Sequence, residues 1–190
     1  EYDAPVRYAL QVEALLQYPE LPTGCESVSL TSVLRAMGYN LSKTEIADRY
    51  LPIDVETFDF IEHFSGDPHY ENGGGAFPPA MVKTANAFLI AHGADERARD
   101  ISGLSFESLC SLVEEGYPVL VWTTMYMSEP SFYYTDDAYT WYENEHCVVL
   151  CGVADDTVQV MDPLEGMVVR DRSEFARLYE LCGSYALVIR

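Results

Sequence analysis

Cys25 follows Leu21-Pro-Thr-Gly and opens an apolar run, Val28, Val33, Leu34 and Met37, whose spacing predicts a helix ending at Gly38. A cysteine at a helix start meets backbone amides that have no intrahelical acceptor and the positive end of the helix dipole. Both favour a thiolate, so Cys25 is a candidate nucleophile; the same position also suits a small buried hydrophobe. A thiol nucleophile needs a base. His146 begins the apolar run Glu145-His-Cys-Val-Val-Leu-Cys-Gly-Val, which reads as a strand. Side chains of a strand alternate faces, placing His146, Val148 and Leu150 on one side and Cys147, Val149 and Cys151 on the other. Asp162, in Val160-Met-Asp-Pro-Leu-Glu-Gly, ends the next strand, and counting back across the turn at Asp155-Asp156 brings it near His146. A carboxylate there would hold one imidazole nitrogen and leave the other for the thiol, although Asp-Pro is also a common turn former.

The elements that must position these residues are legible as a series. A second helix opens at Ser42, with Glu45 three residues later as a capping box, and ends before Pro52. A third runs from near Pro79 to before Gly93 with Val82, Ala85, Phe88 and Leu89 on its buried face, and a fourth from about Ser105 to Glu115. After Gly116 the pattern changes to strands at Val119–Thr124, His146–Val153 and Val158–Met161, then a short helix from Ser173 to Leu181 and a strand from Tyr185 to Ile189. Helices first and sheet second is an α+β order.

Composition narrows the function classes. The 190 residues suit a single domain, and 48% apolar with 22% charged residues is ordinary for a globular chain. Eleven basic against thirty-one acidic residues give a net charge of -20. Such a surface repels nucleic acid and anionic lipid and favours cationic peptides at long range. No run approaches the roughly eighteen apolar residues of a membrane span. The chain opens Glu-Tyr-Asp in place of a basic start and has no initiating Met, so an extracellular or cell-surface protein with its export signal before residue 1 is expected, a cytoplasmic one being the alternative. Five scattered cysteines do not form a disulfide framework, and Cys147 and Cys151, roughly 13 Å apart in one strand, read as core residues.

Cysteine, then histidine, then aspartate is the chain order of a papain-like triad. The motifs Leu-Pro-Thr-Gly-Cys-Glu-Ser-Val-Ser-Leu, Glu-His-Cys-Val-Val-Leu-Cys-Gly-Val and Met-Asp-Pro-Leu-Glu-Gly resemble those of the C39-like branch of papain-like cysteine peptidases, relatives of bacteriocin leader peptidases. The resemblance spans Tyr8 to the C-terminus. It implies a papain-like fold, an N-terminal helical part with the nucleophile helix followed by an antiparallel sheet. It also implies hydrolysis of peptide or isopeptide bonds through a thioester, with Cys25, His146 and Asp162 as the triad. A glutamine upstream of the cysteine would help bind the oxyanion, and Gln17 is the nearest match. No cofactor or metal is implied, and the expected partner is a peptide or protein substrate.

Two further segments bear on the cleft. The glycine-rich stretch Gly66 to Lys83, with Gly73-Gly-Gly-Ala-Phe-Pro-Pro, is similar to the family's link before a helix and suggests a cleft wall; no phosphate-loop Lys follows it. The run Ser131 to Glu145 carries Phe132, Tyr133, Tyr134, Tyr139, Trp141 and Tyr142 among Asp136, Asp137 and Glu143, and is expected to line a cleft favouring aromatic or basic side chains, or else to pack as a half-exposed loop. His63, His69 and His92 lack zinc-site spacing and read as surface histidines. A transglutaminase-type acyl transferase and a non-catalytic peptide-binding module of the same fold remain alternatives. Without a transmembrane bundle or a phosphate-binding loop, a peptidase-transporter fusion is not expected.

Overall fold

The computed structural model describes residues 8–135 and 139–190. In chain order they form β1 (Tyr8–Ala9), α1 (Cys25–Ala36), α2 (Glu45–Arg49), β2 (Ile53–Asp54), β3 (Phe64–Ser65), α3 (Pro78–Ala91), β4 (Ala98–Asp100), α4 (Phe106–Glu114), β5 (Val119–Thr124), β6 (Phe132–Thr135), β7 (Thr140–Tyr142), β8 (Glu145–Val153), β9 (Thr157–Asp162), β10 (Gly166–Asp171), α5 (Arg172–Leu181) and β11 (Ala186–Ile189). An antiparallel sheet in the order β10-β9-β8-β5-β11-β4, with β1 added alongside β8, carries the structure.

Both faces of this sheet are covered, which is why β5, β8 and β11 read as nearly unbroken apolar runs. Alternation sorts their side chains. Leu120, Trp122, Cys147, Val149, Cys151 and Leu187 join the core shared with Leu30 and Leu34 of α1 and Met81 and Phe88 of α3. Val119, Val121, Val148, Leu150 and Val188 pack instead against Leu109 and Val113 of α4 and Phe175 and Tyr179 of α5. The expected separation of Cys147 from Val148 is therefore observed, and all five cysteines are free and buried.

Helix α1 departs from the simple amphipathic expectation: every residue from Cys25 to Leu34 is buried. A helix buried all round must satisfy its own polar groups. Ser29 Oγ donates to the carbonyl of Cys147 at 2.9 Å and Thr31 Oγ1 to that of Ser27 at 2.8 Å, tying the helix to β8 and to itself. Gly38, at φ +95°, ends the helix in the left-handed conformation that a side chain disfavours.

Other expectations need correcting. The capping box at Ser42 does not form: α2 starts at Glu45 with Thr44 as its cap, so Glu45 lies too early in the helix to reach back and bonds Arg49 at 3.1 Å. The sequence order of helices before sheet is only approximate, because β1 and β4 from the helical half add to the sheet. β4 has three residues and β1 two, too few for a periodic signal, and β10 is a half-exposed edge strand.

Candidate active site

Cys25 is the first residue of α1, and its side chain is 5% exposed. Its Sγ accepts a hydrogen bond from the Cys147 amide at 3.4 Å and donates to Glu26 Oε2 at 3.4 Å. A second acid stands beside it: one donor atom each of Cys25, Glu26 and Glu145 lie within 4.8 Å of one another. Burial first, then the charges of Glu26 and Glu145, push the Cys25 thiol well above its ordinary pKa. The favourable helix end that the sequence places at Cys25 is thus opposed, first by burial of the thiol and then by the two neighbouring carboxyls.

The histidine and aspartate meet as the strand count predicts. β8 pairs with β9 at Val149↔Met161, which carries Asp162 back beside His146. His146 Nε2 donates to Asp162 Oδ1 at 2.7 Å, with the two residues 1% and 4% exposed. Since the carboxylate accepts, Nε2 carries a proton; Nδ1 is buried and, among the described residues, has no hydrogen-bond partner. Burial alone would raise the Asp162 pKa, but the hydrogen bond and charge of His146, the Leu164 amide and Arg170 hold it below the ordinary carboxylate value. Asp162 is also the turn former that Asp-Pro suggests: its Oδ1 accepts the Leu164 amide at 2.8 Å. The two readings of this residue coexist.

Cys25, His146 and Gln17 line one cavity of about 320 Å³, together with Thr23, Gly73, Gly74, Met125, Glu143 and Glu145. Among the described residues no hydrogen bond joins Cys25 to His146; the thiol is turned to Glu26. Gln17, 3% exposed, is positioned by its amide, which donates to the carbonyl of Pro163 next to Asp162 at 2.9 Å. Its Nε2 donates to the carbonyl of Pro22, and its Oε1 is buried without a partner among the described residues.

The buried acids are what sequence reasoning missed. Glu26 Oε1 accepts the Ala76 amide at 2.5 Å, and burial pushes the Glu26 pKa up to about 7. Burial and the neighbouring Glu26 raise that of Glu145 well above the usual value, and Glu145 Oε1 has no partner among the described residues. Alternation offered a signal, since Glu145 shares the α1-facing side of β8 with Cys147.

The glycine-rich stretch is a cleft wall, as expected, and its glycines are required by close approach. A Cβ on Gly73 would lie 2.1 Å from Thr23 Oγ1 and 2.7 Å from the carbonyl of Asp67; one on Gly74 would lie 2.6 Å from the carbonyl of Ser65. On Gly75 it would meet Glu145 Oε2 at 2.7 Å and Glu26 Oε1 at 3.1 Å. A second cavity of about 440 Å³ shares Gly73, Gly74, Glu143 and Glu145 with the first and adds Phe58, Phe60 and Tyr142. The aromatic run therefore contributes Tyr142 to a cleft, whereas Trp141 packs in the core against Phe60 and Phe77. Asp136 and Asp137 lie outside the described residues. His69 bridges Asp67 and Asp48 at 2.8 and 2.9 Å, His63 pairs with Asp54 at 3.4 Å, and His92 Nδ1 bonds the Phe88 carbonyl at 2.8 Å; none of them lines the cavity that holds Cys25.

Known proteins share this arrangement of elements. The crystal structure of a "putative C39-like peptidase" from Bacillus anthracis superposes with a TM-score of 0.84 at 27% identity, covering 99% of this chain and 98% of that one. A double glycine motif protease from an AMS/PCAT transporter, in complex with its leader peptide, shares the fold at a TM-score of 0.56 and 17% identity over 96% and 94% of the two chains. The uncharacterized protein YvpB of Bacillus subtilis (strain 168) is 28% identical over 188 residues, 90% of this chain and 71% of the relative. These structures carry the papain-like fold, and no described helix is long and apolar enough to cross a membrane. With residues 6–187 matching its family model, the chain belongs to the Peptidase_C39 like family, a family of cysteine peptidases.

Proposed function

We propose that the protein is a cysteine peptidase that cleaves peptide bonds through Cys25, His146 and Asp162, with Gln17 assisting. The observation that carries this reading is the buried His146 Nε2 to Asp162 Oδ1 hydrogen bond of 2.7 Å, which leaves Nδ1 unpartnered in the cavity that Cys25 also lines. Rotation of Cys25 about its Cα–Cβ bond turns Sγ from Glu26 towards Nδ1, which takes the thiol proton as Sγ attacks the peptide carbonyl. The carbonyl electron pair moves to oxygen, where the Cys25 amide, free of an intrahelical acceptor, and the second N–H of Gln17 Nε2 stabilise it. The C–N bond breaks, the leaving amine takes the proton from His146, and a thioester remains. Water then gives its proton to His146, attacks the thioester and releases the acid and the thiol. Asp162 keeps the imidazole in one tautomer throughout.

A peptide library incubated with the protein and read by mass spectrometry tests this. Cleavage that disappears in Cys25→Ala and in His146→Ala is the expected result. Cleavage persisting in Cys25→Ala overturns the assignment. Product carrying an added amine in place of water selects acyl transfer. Peptide binding without cleavage selects the non-catalytic module, the reading favoured by a thiol that is turned to Glu26.

A further inference from the structure

We propose that Cys25, Glu26 and Glu145 form a binding site for Zn²⁺, which masks the thiol when bound. Three donors of two kinds, one sulfur and two carboxyl oxygens, converge to within 4.8 Å of one another, and all three residues are buried. Buried carboxyl groups ordinarily have a cationic partner or a metal. Asp162 follows that rule, held by His146 and Arg170. Glu26 and Glu145 depart from it: among the described residues neither forms an ion pair, and Glu145 Oε1, on a residue 5% exposed, has no hydrogen-bond partner. The surrounding backbone is shaped for the pair. Gly75 packs so closely that a single Cβ would collide with Glu145 Oε2 and press on Glu26 Oε1.

The donor set selects the metal. Zinc binds thiolate sulfur at about 2.3 Å and carboxylate oxygen at about 2.0–2.2 Å in a tetrahedron, and the Cys25 sulfur already lies 3.4 Å from Glu26 Oε2. Magnesium and calcium favour all-oxygen shells and gain nothing from the sulfur. On binding, Cys25 loses its proton to solvent and a sulfur–zinc bond forms. The fourth position falls to water or to His146 Nδ1, which is unpartnered in the wall of the same cavity. Access runs through that cavity, so a bound zinc and a peptide carbonyl compete for one sulfur.

Binding is testable without any substrate, which separates this inference from the peptidase reading on which only the masking consequence rests. Chelator-stripped protein is titrated with Zn²⁺ against a chromophoric chelator, and with Co²⁺ while the thiolate-to-cobalt charge-transfer band is followed. One equivalent of tight binding is expected, with a charge-transfer band and no competition from excess Mg²⁺. Cys25→Ala abolishes the band; Glu145→Gln and Glu26→Gln, which preserve volume, each remove a charged ligand and weaken binding by at least the roughly 10–100-fold that loss of an outer-shell partner costs. Circular dichroism identifies any variant that fails to fold, and each glutamine variant stands in for the other. No band, or zinc affinity unchanged in Cys25→Ala and in both glutamine variants, overturns the site. If peptide cleavage is detected, Zn²⁺ stops it and excess chelator restores it. If no cleavage is ever found while zinc still binds through these residues, the catalytic reading fails and the metal site stands.

Discussion

Glu145 and His146 are adjacent in sequence and serve opposite faces of β8: the Glu145 carboxyl lies within 4.8 Å of the Cys25 sulfur, while His146 Nε2 bonds Asp162 Oδ1 at 2.7 Å. One strand thereby presents an acid and a base to the same cavity from two sides, and the acid adds to the burial that raises the thiol pKa.

Replacing the Glu145 carboxyl should ease ionisation of the Cys25 thiol, while burial continues to oppose it. With chelator present, the pH profile of Cys25 alkylation by iodoacetamide in Glu145→Gln shifts to lower pH than in the native protein, over the alkaline range in which the native Glu145 carboxyl is ionised. Mass mapping assigns the label. An unchanged profile would show that the carboxyl does not act on the sulfur.

The pH dependence of stability carries the mark of Glu26. Its folded pKa, about 7, stands above the unfolded value, so between about pH 4.5 and 7 the native state binds more protons than the unfolded one, and stability falls as pH rises through that window. Glu26→Gln removes this loss. Its stability relative to the native protein rises by about 1–3 kcal/mol from pH 5 to pH 8, measured by urea unfolding at each pH. A difference that stays flat with pH refutes the buried-acid assignment.

Asp162 acts in the opposite sense. Its folded pKa is depressed, so it stabilises the protein above the unfolded carboxylate pKa, and that contribution is lost as pH falls through the folded value. Asp162→Asn costs about 1–3 kcal/mol at pH 7 and narrows the gap to the native protein in acid. On the proposed mechanism it lowers kcat by about 10²–10⁴-fold with a smaller effect on KM.

The glycines divide by what their Cβ would strike. Gly73→Ala drives a methyl into the Asp67 carbonyl and Thr23, and thermal unfolding should show a loss of about 1–3 kcal/mol. Gly75→Ala strikes mainly the end of the Glu145 side chain, so stability changes less while the pH profile of Cys25 alkylation moves. Equal destabilisation by both would place the wall's rigidity, not the acid pair, behind Gly75.

The local pattern of residues was sufficient for the elements that carry the site. Spacing of Val28, Val33 and Leu34 marked α1, the apolar run after Glu145 marked β8, and a turn counted across Asp155-Asp156 placed Asp162 by His146, because register follows from neighbouring hydrogen bonds. Short elements escaped: β1 and β4 have too few residues to show a period, and the capping box at Ser42 lost to a helix start three residues later. Only the tertiary structure decided the electrostatic state of Cys25. Glu26, Glu145 and Gly75 come from a helix, a strand and a loop far apart in the chain, and desolvation is a property of the packed assembly that none of these segments carries alone. The Cys, His and Asp were thus legible in order and spacing, while the burial of the sulfur and the pair of buried acids beside it were set by which surfaces the fold presses together.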